Sequence, residues 1–380
     1  MRSSKVNLLT VDTPALILDE AKMNANIERM SQKMKSLGVT LRPHLKTSKC
    51  WEVAKRQIWT PEGPATVSTL KEAEEFARHG IKDMIYAVGI APQKLHRVAA
   101  LIRQGVDLKI ILDNVEAAQA VTEFCRKENL AISVLIEIDC DGHRSGLTPQ
   151  SSEIILVAEA LKAPAKLVGV LTHAGGSYDV DTHEELLKRA QGERNGICKA
   201  AETLRNAGYE LSIISVGSTP TALTDEDLTG VTEVRAGVYV FFDLFQAGVG
   251  ICKPEDIALS LLVTVIGHQI EKGWVITDGG WMALSRDRGT ANQKVDQGYG
   301  LVCDINGLMV DGLWVSGANQ EHGIISARNG RKLNPKDFPI GTRLRILPNH
   351  ACSTGAQHPC YYIVNNNLEI KDCWTRFYGW

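Results

Sequence analysis

Short runs of branched and apolar residues alternate with longer helical stretches from residue 15 to about residue 240, and this rhythm limits the folds open to the chain. The strand candidates are "ALILD" (15–19), "VTLRPHLK" (39–46), "ATVST" (65–69), "DMIYAV" (83–88) and "LKIILD" (108–113). They continue with "ISVLIEID" (132–139), "KLVGVLTH" (166–173), "LSIISVG" (211–217) and "TEVRAGVYV" (232–240). Between the first two lies "EAKMNANIERMSQKMKSLG", in which Met23, Ile27, Met30 and Met34 share one helical face. "DNVEAAQAVTEFCRKEN" reads as another helix, with Asp113 placed to cap it. Buried strands joined by helices run parallel, since each crossover returns the chain to the same edge of the sheet. Eight or nine such repeats suit a closed (β/α)8 TIM barrel, and one of the nine candidates is surplus to it.

After residue 255 the rhythm changes. "LSLLVTVIGHQI", "GWVITDG", "GLVCDI", "LWVSGANQEHGII", "TRLRILPNHACS" and "YYIVNN" are short strands, with turn signals at Asn306-Gly307, Asp311-Gly312 and Asn329-Gly330. No long helix fits between them. The expected organisation is an α/β barrel over residues 13–254, with residues 1–12 and 255–380 making a separate antiparallel β domain.

Composition narrows the function. The 380 residues carry a formal charge of only −2, which argues against a broad nucleic-acid or membrane surface. No apolar run approaches the roughly 20 residues of a membrane span, and the N-terminus shows no signal-peptide pattern. Nine cysteines, scattered and odd in number, favour reduced thiols in a cytoplasm over a disulfide framework.

In such barrels the reacting groups lie at the C-terminal ends of the strands. "LRPHLKTSKC" gathers Arg42, His44, Lys46 and Lys49 at one such end, and residues 42, 44 and 46 would share a strand face. A lysine pointing into the barrel mouth would be partly desolvated, which makes its amine nucleophilic toward carbonyls. "EIDCDGHRSGL" places Asp139, His143 and Arg144 after the sixth strand, and "LTHAGGSY" places His173 and Tyr178 after the seventh. "SVGSTPT" adds Gly217, Ser218 and Thr219, a glycine with hydroxyls of the kind that cradles phosphate, although the same residues also make ordinary turns. "EVRAGVYVFFD" adds Arg235, Gly237 and Tyr239.

Taken in order, a lysine after an early strand, "DCDGHRSG", "TH", a Gly-Ser segment and "VRAGVY" resemble the alanine racemase-like, fold-type III pyridoxal-phosphate enzymes. "RPHLKTSK" is similar to the lysine segment of the D-serine dehydratase and D-threonine aldolase branch. One departure stands out: Asp141 occupies the place of a glycine, which is displaced to Gly142. The resemblance runs from "TPALILD" to "PNHACS". It implies that Lys46 carries pyridoxal 5'-phosphate, with His44 on the same cofactor face. It implies that His173 packs on the ring, Arg144 lies near the phenolic oxygen, Arg235 faces the ring nitrogen and Tyr178 sits beside the cofactor. Gly217, Ser218, Thr219, Gly237 and Val238 would hold the phosphate through backbone N–H groups, with Tyr239 adjoining. An arginine keeps its proton, so it donates to an unprotonated ring nitrogen and weakens the electron sink.

In the second domain, "LPNHACS" sets His350 and Cys352 two apart on an expected strand, hence on one face. Imidazole and thiolate suit a divalent ion such as Zn2+, or Mn2+, Co2+ or Ni2+. "HPC" repeats the spacing at His358 and Cys360, so a closed four-ligand site is the rival arrangement. The resemblance places a cysteine at position 352 in the D-serine dehydratases and an aspartate there in the aldolases. Asp278, Glu321 and His322 match family segments, and the residues alone assign them no chemistry. The implied reaction is elimination of water from a D-3-hydroxy amino acid, D-threo-3-hydroxyaspartate first and D-serine second, giving a keto acid and ammonia. A metal-dependent aldolase is the alternative. The implied assembly is a homodimer, with no nucleic-acid or membrane partner.

Overall fold

The structure is a computed structural model and describes residues 6–380. The strands, in chain order, begin with β1 Ala15–Asp19, β2 Thr40–Leu41, β3 Ala65–Val67, β4 Asp83–Gly89, β5 Asp107–Leu112 and β6 Ser133–Ile138. Next come β7 Lys166–Thr172, β8 Ile213–Val216, β9 Glu233–Val234, β10 Leu259–Gln269, β11 Trp274–Thr277 and β12 Leu301–Cys303. The last are β13 Met309–Ala318, β14 Gly323–Ala327, β15 Arg343–Leu347, β16 Cys360–Val364 and β17 Asp372–Thr375.

Eight strands form one parallel sheet in the order β2-β9-β8-β7-β6-β5-β4-β3. Its free edges meet where Leu45 N–H donates to Thr66 O and Thr66 N–H to Pro43 O, both at 2.9 Å, so the sheet closes into the expected barrel. Helices follow the strands, several with the side-chain caps that polar residues supply at helix starts. Asn114 rather than Asp113 caps Val115–Glu128, accepting from Ala117 N–H at 2.8 Å. Asp113 instead accepts from Gly146 N–H at 2.9 Å, which anchors the loop after β6.

The surplus strand candidate is the first, "ALILD". β1 pairs antiparallel with β10 and parallel with β16, so Ala15–Asp19 lies in the second sheet and not in the barrel. That sheet has nine strands in the order β11-β14-β13-β12-β15-β10-β1-β16-β17, with an added β10–β11 pairing that closes β10 to β15 on themselves. The chain divides into two compact units, residues up to Glu28 with Val238–Phe377, and Arg29–Gly237 with Tyr378–Trp380. The second of these differs from the expected barrel segment 13–254. The segment "LWVSGANQEHGII" is not one strand. It is the end of β13, a turn closed by Asn319 N–H to His322 O at 2.8 Å, and β14. Asp311-Gly312, expected as a turn, lies within β13.

The two barrels are filled differently. In the eight-stranded one, Ile85, Ile111, Leu135, Leu171 and Ile213 form a buried cluster drawn from five neighbouring strands and from no helix, which marks the inward face. Alternation puts Asp83, Lys109, Glu137 and Ser215 on that face too, each two residues from a cluster member. Arg42 joins them, with Nε 2.8 Å from Glu233 and Nη1 2.8 Å from Asp83. Lys109 reaches Asp83 at 2.8 Å and Asp107 at 2.7 Å. The interior of the second barrel is aliphatic: Leu261, Val263, Val265, Val275, Val302, Val315, Ile325, Leu344 and Ile346 pack together out of water.

Candidate active site

Lys46 is not on a strand. β2 ends at Leu41, hydrogen bonding continues as far as Leu45, and residues 45–48 form a turn closed by Lys49 N–H to Leu45 O at 3.0 Å. Lys46 is exposed rather than partly buried, so its access to a ligand is unobstructed within its own unit. The turn ends at Lys49, whose φ of 44° is left-handed. Lys49 is held at 3.3 Å by the fully buried Glu72. Arg42 points away from this turn, into the charged interior. His44 lies just before it, and its Nδ1 is buried without a hydrogen-bond partner. Burial, reinforced by the charge of Lys46 and Arg235, pushes the His44 pKa well down, so the ring is neutral.

His173 follows β7, and its Nδ1 is 2.6 Å from Gly217 O. Burial and the nearby Arg144 charge hold its pKa at about 3, so it too is neutral and presents an uncharged face. Tyr178 is its neighbour, with ring centroids 6.1 Å apart. Arg235 is buried beyond β9. Its Nη1 donates to Ser215 Oγ at 2.6 Å and to Val216 O at 3.3 Å, and its Nη2 donates to Thr172 O. Burial lowers its pKa to about 10 against the pull of Glu233, which leaves a guanidinium at neutral pH.

The segment after β8 differs from expectation in one respect. Gly217 N–H does not face open space, because it donates to Glu193 Oε1 at 2.7 Å. Glu193 also accepts from Thr221 Oγ1 at 2.7 Å and from Ala174 N–H at 3.2 Å, tying the loops after β7 and β8 together. Gly217 is required for another reason: its φ is 157°, and a Cβ there would meet Arg235 O at 1.9 Å. Ser218 caps the Thr219–Thr224 helix, and Thr219 Oγ1 is buried without a partner. Gly237 lies against the Lys46 turn, where a Cβ would meet His44 O and Thr47 Oγ1 at 3.1 Å. Val238 and Tyr239 follow in a buried helical turn, Val238–Val240.

Arg144 is half exposed, its Nη2 4.0 Å from the buried Glu137. Its loop is shaped by Asp139 Oδ1, which accepts from Asp141, Gly142 and His143 N–H. Asp141, the residue that departs from the family pattern, accepts from Gly176 N–H at 2.7 Å and so fastens the Arg144 loop to the Tyr178 loop.

The unit that carries His350 shows a second cluster. β15 ends at Leu347, and His350 is the N-cap of the short helix Ala351–Gly355, so His350 and Cys352 meet across a helix start and not along a strand. His350 Nδ1 is 2.6 Å from Asp287 Oδ2 and 3.0 Å from Ser353 Oγ. Burial opposes a charge on this ring, but Asp287 and Cys352 outweigh it and raise its pKa to about 11. The buried Asp243 fixes the helix start by accepting from Ala351 N–H at 2.9 Å. Among the described residues no three His, Cys, Asp or Glu side chains are arranged to hold a metal ion. His358 Nε2 instead lies 2.9 Å from Ala283 O. Asp278 is structural, accepting from Thr264 N–H at 2.7 Å and from Thr13 Oγ1 at 2.5 Å. Glu321 and His322 are exposed at the β13–β14 turn.

Both sites suit the groups expected of them. The unpartnered His44 Nδ1 and Thr219 Oγ1, a neutral His173 face and a guanidinium match a phosphorylated aromatic aldehyde. An imidazole held by a carboxylate at Nδ1 beside a thiol becomes a donor pair for a cation once metal binding displaces their protons, with the carboxylate orienting the ring. Glu193, Ser215, Glu233 and Asp287 escape a reading of the sequence alone, because nothing local distinguishes a buried polar residue from a surface one.

This parallel barrel with a separate antiparallel sheet is the alanine racemase-like fold. The chain belongs to that family of fold-type III pyridoxal-phosphate enzymes: the alanine racemase N-terminal domain matches residues 18–244, and a putative serine dehydratase domain matches residues 258–364. It is 53% identical to D-threo-3-hydroxyaspartate dehydratase of Delftia sp. (strain HT23), over 98% of this chain and 99% of that one. The solved structure of that enzyme superposes with a TM-score of 0.96 at 52% identity, covering 98% of this chain and 100% of that one. A Cys→Ala variant of the same enzyme has been solved in a metal-free form. D-serine dehydratase of Dictyostelium discoideum is 29% identical over 97% of this chain and 98% of its own length. A D-threonine aldolase of an Arthrobacter is 27% identical over 97% and 92%.

Proposed function

We propose that the chain is a pyridoxal-phosphate- and divalent-metal-dependent ammonia-lyase that removes water from D-threo-3-hydroxyaspartate, and less readily from D-serine, to give a keto acid and ammonia. The observation that carries this reading is 53% identity to a dehydratase of that substrate, spread over 98% of the chain and so over both domains. Bound pyridoxal phosphate supplies an electron sink for the α-carbon, and a divalent ion supplies Lewis acidity toward a hydroxyl.

The chain's own residues do the rest. Lys46 Nζ would hold the cofactor and would be the base for the substrate's α-proton, a role that suits an exposed amine on a short turn. His173 packs as a neutral ring on one cofactor face, and His44 adds a second uncharged ring. Arg235 would donate to the ring nitrogen while keeping its own proton, and so would moderate the electron demand of the bound ring. Arg144 lies near the phenolic oxygen, with Tyr178 beside the cofactor. Ser218, Thr219, Gly237 and Val238 hold the phosphate, and Tyr239 adjoins them. Gly217 shapes that segment while its N–H is engaged by Glu193. His350 and Cys352 would hold the ion, with Asp287 orienting His350, and the ion would supply Lewis acidity toward the β-hydroxyl. The net change converts 3-hydroxyaspartate to oxaloacetate and ammonia. We further propose that the chain works as a cytoplasmic homodimer, with light scattering as the test of its mass. Among the described residues no helix is long and apolar enough to cross a membrane.

The thiol at Cys352 favours elimination over the aldolase alternative, in which the hydroxyl loses its proton and the Cα–Cβ bond breaks. A panel of D-serine, D-threonine and both 3-hydroxyaspartate diastereomers separates the two. Ammonia with keto acid is the expected outcome, and glycine with aldehyde would replace this reading with the aldolase.

A further inference from the structure

Arg235 is gripped from behind. Ser215 Oγ accepts from its Nη1 at 2.6 Å and donates to Glu233 Oε1 at 2.7 Å. Glu233 Oε2 in turn accepts from Arg42 Nε at 2.8 Å, and Arg42 Nη1 and Nη2 reach the two oxygens of Asp83 at 2.8 and 3.2 Å. Ser215, Glu233, Arg42 and Arg235 are all at most 5% exposed. A serine that accepts from a guanidinium and donates to a carboxylate passes the anion's influence to the cation, and such chains polarise cooperatively where water is absent. Arg42 fixes the position of the carboxylate and keeps its charge compensated.

We propose that Ser215 and Glu233 are positioning residues that set the donor strength of Arg235 toward an aromatic ring nitrogen, and through it the electron demand of the cofactor. This rests on the reading of Arg235 given above. The two Nη groups are tied to Ser215, Val216 and Thr172, so the guanidinium has one orientation, and none of these bonds uses Nε. With Glu233 pulling on it through Ser215, Arg235 is a restrained donor. Cutting that link makes the guanidinium a stronger donor, draws electron density from the ring, and makes the lysine–cofactor linkage more acidic. None of these roles was visible in "SIISVG" or "TEVRAG", where Ser215 and Glu233 look like ordinary strand residues.

The experiment uses Ser215→Ala and Glu233→Gln holoenzymes, with borohydride trapping at Lys46 as the control. Absorbance of the bound cofactor is recorded against pH, alongside thermal unfolding and kcat and KM. Both variants are expected to lower the pH at which the visible band titrates. Each should cost about 10-fold in kcat with KM little changed, the scale seen when outer partners of a functional group are removed. The double variant should shift the band no further than the larger single one, because the two residues act in series. Ser215→Ala removes a hydroxyl without stranding a charge, so it reports even if Glu233→Gln fails to fold. Trapping at Lys46 with a band and titration identical to the parent in Ser215→Ala would overturn the proposal while leaving the proposed function intact. Failure of trapping at Lys46 would overturn the proposed function itself.

Discussion

One chain builds two closed barrels and fills them by opposite rules. The six strands β10 to β15 enclose aliphatic side chains, and the interior reads as a stability device. The eight parallel strands enclose Arg42, Asp83, Lys109, Glu137, Glu233 and Arg235 beside a small aliphatic cluster. Removing such charges from water costs several kcal/mol per ion, and only close pairing offsets it. A barrel filled that way is less stable than one filled with isoleucine, but it fixes a guanidinium where the site calls for one. The aliphatic barrel has no such constraint, and the proposed ligands His350 and Cys352 lie outside its core, at the start of a short helix.

The two fillings should fail differently. The largest effect belongs to Lys46→Ala, which should abolish the reducible cofactor adduct and turnover while leaving thermal unfolding of the cofactor-free protein unchanged, because the side chain is exposed. Mass spectrometry after borohydride reduction checks it, and an adduct on Lys49 would reassign the site. Arg42→Ala should destabilise the parallel barrel by about 5 kcal/mol, since it strands Glu233 and loosens Asp83. It should also move the cofactor absorbance. Ile346→Ala in the aliphatic barrel should cost about 3–4 kcal/mol through cavity formation alone, with the absorbance untouched. Denaturant unfolding followed by both signals separates the two barrels.

A smaller effect comes from Glu193. Burial, working against three hydrogen bonds, raises its pKa from 4.5 to about 7. The folded state therefore holds this proton more tightly than the unfolded chain. The resulting stability is complete below pH 4.5 and is lost as pH rises through 7. At about 1.4 kcal/mol per unit the loss is about 3 kcal/mol. Melting temperature measured from pH 5 to pH 8 should fall more steeply in the parent than in Glu193→Gln. Parallel curves would remove Glu193 as the titrating group.

Much of the fold was legible because branched runs and helical faces repeat with their own periods. The first strand was misplaced because "ALILD" carries the signature of a buried strand and no record of its partners, which are β10 and β16. Lys46, His173 and Arg235 were legible as strand-end residues, although the strand before Lys46 is shorter than its sequence suggests. His350 and Cys352 were singled out by their spacing and given the wrong local geometry, because "ILPNHACS" leaves its strand before the histidine. The supporting acids were hidden by distance: Glu193 meets Gly217 across 24 residues, and Asp287 meets His350 across 63.

Ammonia release from D-threo-3-hydroxyaspartate, measured in chelated and metal-restored enzyme with the cofactor absorbance recorded in the same cuvette, tests the central claim most directly. The account predicts that chelation stops ammonia release and leaves the visible band in place, since the lysine linkage needs no ion. Zn2+, Mn2+ or Co2+ should restore it, and His350→Ala should behave as the chelated enzyme does. Full ammonia release from chelated enzyme would contradict the account and leave the His350–Cys352 cluster without a part in the reaction.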